Sequence, residues 1–216
     1  MQNMQWIQKH KTKILIGIIL LFHLVGSIGL ALPNSKSYFL SLSAYNLLLS
    51  FVIVILASNK KTVLFFSFIL FVFLTGFFVE WIGVHTHYLF GNYTYGDNLG
   101  MKILGIPPII GVNWVVLILI THSISLKISK HQILSPILAA LLMVGLDFLI
   151  EPVAIKSDYW SWFENHIPVF NYVCWFFISL IIHFIYNKIR LTEQNTVYNC
   201  LYIVLIVFFS IQLITN

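Results

Sequence analysis

Residues 132–151 read QILSPILAALLMVGLDFLIE, a run of 20 residues without a basic side chain, whose two acids, Asp147 and Glu151, both fall in its last five positions. At about 1.5 Å per residue such a run spans the ~30 Å hydrocarbon core of a bilayer. Its composition fits that solvent, and its two acids do not. Similar runs occupy residues 14–32, 39–58, 62–84, 108–126, 169–187 and 197–214. The seven runs predict an all-α, polytopic membrane bundle of about seven transmembrane helices, folded as one domain over residues 1–216. No internal repeat or heptad pattern interrupts it.

Composition excludes the soluble classes. The 216-residue chain is 59% hydrophobic and 9% charged, against about 25% charged in soluble domains, and its mean hydropathy is +0.92. The formal charge of +5 is a matter of topology rather than of nucleic-acid binding. Lys9, Lys11, Lys13, Lys60, Lys61, Lys127, Lys130, Lys188 and Arg190 fall on one side of a seven-span arrangement, and Lys36, Lys102 and Lys156 on the other. By the positive-inside bias the N-terminus is expected inside and the C-terminus outside. A multi-pass protein of the cell membrane is expected, the bacterial cytoplasmic membrane first. The first run is too long for a signal-peptide core and is read as a mature helix. Cys174 and Cys200 both lie in apolar runs and are read as buried free thiols, not as a disulfide or a zinc site.

The acids divide the opposite way to the bases. Asp97, Asp158 and Glu164 lie in two long outer connections, 85–107 and 152–168; Glu80, Asp147 and Glu151 lie near the outer ends of the third and fifth runs, and Glu193 alone is inside. An ionisable group inside a spanning helix is costly and marks a functional site by default. Asp147 and Glu151, four residues apart, share a helix face, and Glu151 precedes Pro152, where the helix is expected to end. The third and fifth runs cross in the same direction, which puts Glu80 at a similar depth, so three carboxylates are expected to share one pocket. Crowded, desolvated carboxyls tend to keep a proton and can act as general acids. The plain alternative is that they satisfy loop amides, Trp indoles or Lys156.

Of the eight histidines, His10 and His131 are expected at the inner surface, His23, His122 and His183 on separate helices, and His166 in a loop. Only His85 and His87 are close in sequence, and no metal site is expected. His85, just beyond the third run, is a candidate for a hydrogen bond in the site. The loop aromatics Tyr88, Phe90, Tyr93, Tyr95, Trp160 and Trp162 fit either a membrane-interface belt or the lining of a pocket for a flat apolar substrate, with ring faces that shield a cation.

These residues fall into a pattern: Glu80-Trp81-Ile82-Gly83-Val84-His85-Thr86, Phe90-Gly91-Asn92-Tyr93-Thr94-Tyr95, Leu99-Gly100, Gly105-Ile106-Pro107, Asn113-Trp114, Asp147 through Ala154, Trp160-Ser161-Trp162, Ile167-Pro168, Asn171 and Trp175. The chain resembles the membrane carotenoid-biosynthesis family that includes carotenoid 1,2-hydratases and bisanhydrobacterioruberin hydratases. The motifs cover residues 80–175; the first two runs and the last match in hydrophobicity alone. The resemblance implies cofactor-independent addition of water to the terminal isopropylidene double bond of a linear carotenoid, giving a tertiary alcohol. For that chemistry Asp147 or Glu151 is expected as the acid, Glu80 with His85 is expected to orient water, and Tyr93, Tyr95, Trp114, Trp160, Trp162 and Asn171 are expected to bind substrate. The expected partners are the carotenoid, water and the bilayer, with other enzymes of the pathway as candidates. His87 and Tyr88 depart from the pattern, which has a small residue after the His-Thr pair, and are expected either to narrow the pocket or to alter the end group accepted.

Two readings compete. An end-group cyclase also begins by protonating a terminal alkene, and a proton-coupled transporter also places carboxyls in the membrane, although its site is expected nearer the midplane. A retinal photoreceptor needs a lysine deep in a helix, and 197–214 has none.

Overall fold

The computed structural model describes residues 2–163 and 166–215, with side chains from residue 10 onward. Glu164, expected in an outer connection, lies outside the described residues, as does the side chain of Lys9. Eight helices are present among the described residues: α1 (Gln2–Ala31), α2 (Pro33–Ser41), α3 (Ser43–Ala57), α4 (Val63–Thr86), α5 (Ile109–Ile128), α6 (Leu134–Lys156), α7 (Val169–Lys188) and α8 (Thr196–Thr215). Six of them, α1 from His10 onward and α4 to α8, are long and apolar enough to cross a membrane. The pair α2 and α3, bent by 55° at its break, supplies a seventh span if it is counted as one. The expected all-α polytopic bundle is the fold.

The second run differs from its reading in two ways. Its helix begins at Pro33 rather than at residue 39, since proline suits the first helical position, where no amide hydrogen is needed. It then breaks at Leu42. Ser41 Oγ donates to the Tyr38 carbonyl (2.7 Å) and Ser43 Oγ to the Phe39 carbonyl (3.5 Å), and serines bonded back to the backbone compete with the helix ladder. The fifth run differs at its end. Instead of stopping before Pro152, α6 passes through it to Lys156. One further turn is held by Ser157 N–H donating to the Val153 carbonyl (2.9 Å) and Tyr159 N–H to the Ala154 carbonyl (2.9 Å). Glu151 therefore projects from within a helix.

Helix α5 is the centre of the bundle, buried almost continuously from Trp114 to Ser123, with α3, α4, α6, α7 and α8 around it. Helix α1 packs chiefly on α8 and α2. At one end of the bundle, side chains of the short connections bond to backbone across helices. Asn195 Nδ2 donates to the Ala57 carbonyl (3.0 Å), Gln194 Nε2 to the Leu126 carbonyl (2.6 Å), and Asn59 N–H to Glu193 Oε2 (3.2 Å).

The opposite end carries the two long connections, and these contain strands that the sequence reading treats as loops. Strand β1 (Tyr93–Tyr95) pairs antiparallel with β2 (Trp160–Trp162), with Tyr93 opposite Trp162, Thr94 opposite Ser161 and Tyr95 opposite Trp160. Side chains alternate across a strand, so four aromatic rings turn to the bundle. Thr94 and Ser161 face out, with their hydroxyl oxygens 3.3 Å apart.

Candidate active site

The ribbon positions the site. Glu80 comes from the last two turns of α4, and Asp147 and Glu151 from successive turns of α6; all three are at most 3% exposed. Together they line a chamber of about 30 Å³, closed by Phe90, Tyr93, Tyr95, Trp160, Trp162 and Trp175 among others. That volume holds about one or two waters.

Each carboxyl is held by neutral donors. Tyr93 and Tyr95 hydroxyls donate to Glu80 Oε2 (2.5 and 2.8 Å), and Trp114 Nε1 donates to Glu80 Oε1 (3.2 Å). Trp160 and Trp162 Nε1 donate to Glu151 Oε2 (2.9 and 2.8 Å), and Asn171 Nδ2 to Glu151 Oε1 (3.0 Å). The same Asn171 nitrogen lies 3.3 Å from Asp147 Oδ2. Glu80 and Glu151 are thus fixed by three donors each, while Asp147 has one, shared. Lys156 is exposed and makes no part of this network. The indoles named in the plain alternative do satisfy the glutamates; Lys156 does not.

The alternation in Tyr-Thr-Tyr and Trp-Ser-Trp divides the donors between the two glutamates. One strand serves Glu80 and the other Glu151. Burial, and then the Glu80 carboxylate beside them, push both Tyr93 and Tyr95 phenols well above the ordinary tyrosine range, so they remain O–H donors. Gly83 lets the loop approach α4, because a Cβ there would lie 2.8 Å from the Phe90 ring and 2.9 Å from the Tyr93 hydroxyl. Behind Glu80, Trp114 stacks on Trp175 with centroids 4.2 Å apart and planes 7° from parallel. Outside the chamber, Lys102 Nζ bridges Asp97 Oδ1 (2.8 Å) and the Tyr95 carbonyl (2.7 Å), tying the end of β1 to the following loop. The hydrogen bond and charge of Lys102 lower the Asp97 carboxyl below its usual range.

Of the residues singled out from sequence, Glu80, Asp147, Glu151, Tyr93, Tyr95, Trp160, Trp162 and Asn171 line the chamber, and Trp114 reaches it through Glu80. His85 is not brought in. It is exposed, its Nδ1 is 2.9 Å from the Trp81 carbonyl of its own helix, and its ring lies against Trp81. His87 and Tyr88 do not narrow the pocket either. His87 caps α4 with φ 58°, a left-handed position where glycine is usual, and Tyr88 is 81% exposed. The histidines read as scattered are partly gathered: His122 and His183 Nδ1 atoms are 3.2 Å apart, buried beside Thr121 and Ser135. Among the described residues no three His, Cys, Asp or Glu side chains converge as a metal ion would require.

What the sequence reading missed is the space next door. A cavity of about 590 Å³ runs between α1, α2, α3, α5 and α8, apolar apart from a few groups such as His23, Ser43, Asn46 and Tyr159. It reaches the side of the bundle where Phe22, Val25 and Tyr45 are exposed. It also shares Ile110, Asn113, Ile150 and Trp160 with the acid chamber. Runs read only as membrane spans thus build the larger of the two spaces. Its residues lie on five separate runs and on both long connections, and no local pattern joins them.

The family profile described as carotenoid biosynthesis protein matches residues 42–216. The chain belongs to this family. The match extends the resemblance beyond residues 80–175 to α3, α4, the rest of α7 and α8. No curated protein and no solved structure matches the chain. The family and the helices long and apolar enough to cross a membrane together point to interactions with carotenoids and lipids.

Proposed function

We propose that this member of the carotenoid-biosynthesis family is a hydratase. It would add water to the terminal isopropylidene double bond of a linear carotenoid and give a tertiary alcohol, without a redox cofactor. The observation that carries the reading is the junction of two unlike spaces: an apolar cavity reached from the bilayer side, and a water-sized chamber of carboxyls, meeting at one wall.

In this reading the polyene lies in the cavity with its end group at the wall. Asp147, the carboxyl with the fewest protein donors, gives its proton to the CH carbon of the terminal double bond. The π bond breaks, and positive charge develops on the carbon bearing two methyl groups. Glu80 and Glu151, locked by their donors, present fixed negative ends to that charge. Preorganised dipoles of this kind stabilise a transition state without reorganising. The faces of Trp160, Trp162 and Trp175 can contribute on the order of 0.5–2 kcal/mol each to a desolvated cation. Water then bonds to the cationic carbon, and its surplus proton passes to the Asp147 carboxylate, restoring the acid. Atoms and charge balance with water as the only co-reactant.

The test is expression in a lycopene-producing host beside Asp147→Asn, Glu151→Gln and Glu80→Gln, with the pigments separated by polarity. The reading expects a more polar, hydroxylated carotenoid from the parent and its loss in the Asp147 variant. A non-polar, ring-containing isomer would identify an end-group cyclase instead. Full activity in all three variants would remove the acids from the chemistry.

A further inference from the structure

Helix α5 turns one face to the large cavity through Ile110, Asn113, Val116 and Leu117. Asn113 is the polar member of that face, and it also lines the acid chamber. A buried amide normally spends its donors and acceptor on the protein or on ordered water. Asn171, across the chamber, does so with both carboxyls of α6. Asn113 does not: its side chain is half-buried and makes no hydrogen bond to any described residue. Its neighbour Trp114 is fixed on Glu80 and against Trp175, so the α5 backbone holds Asn113 at the wall with its amide unused.

We infer that Asn113 is the residue that positions the attacking water at the boundary between the two spaces. The inference rests on the hydratase reading and names a residue that reading leaves open. The amide oxygen accepts one hydrogen of a water in the chamber, and the water's oxygen faces the end group across the wall. When Asp147 has protonated the alkene, that oxygen bonds to the tertiary carbon. The second hydrogen of the water leaves as a proton to the Asp147 carboxylate. Without Asn113 the protonation step remains, but the cation has no oriented nucleophile. It then loses a proton from a neighbouring carbon and returns to an alkene, so the two steps come apart.

Purified full-length protein in detergent is given a linear carotenoid with isopropylidene ends in D₂O buffer. Mass spectrometry reads the hydrated product and the deuterium in the recovered alkene. The parent is expected to give hydrated product carrying a carbon-bound deuterium. Asn113→Ala and Asn113→Leu are expected to lower hydration at least tenfold while the recovered alkene still takes up deuterium. Asn113→Asp, which keeps an acceptor of similar size, is expected to restore part of the hydration. Because the amide bonds to none of the described residues, the alanine variant should unfold at the parent's temperature. Hydration within twofold of the parent in the alanine variant would overturn the inference, and so would an equal fall in hydration and deuterium uptake. A parent that neither hydrates nor exchanges the alkene would instead overturn the hydratase reading, and this inference with it.

Discussion

Asp147 and Glu151 sit one turn apart on α6, yet the protein treats them differently. Glu151 takes two indole N–H groups and an amide, and Asp147 takes a share of that amide. Indoles donate only, so Glu151→Gln must direct its oxygen to both tryptophans and its NH₂ toward the Asn171 amide, which faces it as a donor. That clash should cost about 1–3 kcal/mol, the range for an unsatisfied buried polar group. Asp147→Asn meets one donor and can be accommodated. The expected pattern is therefore a crossed one: Asp147→Asn leaves thermal unfolding in detergent near the parent's while product formation falls about 10²–10⁴-fold, the range for a lost general acid. Trp162→Phe removes one donor from Glu151 and should lower the unfolding midpoint while part of the activity survives. Equal losses of stability in the Asp147 and Trp162 variants would contradict the division of labour. The acids were legible in the sequence because charge in a membrane helix stands out. Their unequal hydrogen bonding was not, since it depends on which loop aromatic reaches which oxygen.

At the scale of elements, the ribbon of β1 and β2 decides the site, and its sequence signal was short. Tyr-Thr-Tyr and Trp-Ser-Trp have the period-two alternation of a strand, but three residues cannot be told from a loop until their partner is known. Pairing across more than sixty positions joined them. Beside the ribbon, Gly96 N–H donates to the Tyr159 carbonyl (2.9 Å), and a Cβ on Gly96 would lie 2.1 Å from the Asp158 carbonyl oxygen. Gly96→Ala must therefore push the two connections apart. The helices should persist, with unchanged far-ultraviolet circular dichroism, while activity falls at least tenfold; unchanged activity would mean that the ribbon does not set the acids. The break at Leu42 and the passage of α6 through Pro152 were hidden for a related reason. A hydropathy run records solvent, and it does not record whether backbone bonds continue through it.

The whole molecule is asymmetric, and that asymmetry was visible from the start in the nine bases set against three and in the placement of the acids. The fold now gives the acidic end a ribbon, a chamber and an adjoining cavity, and the other end short polar connections. By the positive-inside bias the chamber is expected toward the outer face. A cysteine at Met101, which is 77% exposed beside the ribbon, should react with an impermeant maleimide in intact cells, and one at Asn59 only after lysis, with Cys174 and Cys200 replaced. The reverse pattern would invert the topology and bring water to the chamber from the inside. Whichever side supplies it, water is the second substrate of the proposed reaction. The most direct measurement is oxygen labelling of the carotenoid formed by the protein in H₂¹⁸O. A tertiary alcohol two mass units heavier is expected, with no label from ¹⁸O₂; label from molecular oxygen, or a product without added oxygen, would rule hydration out.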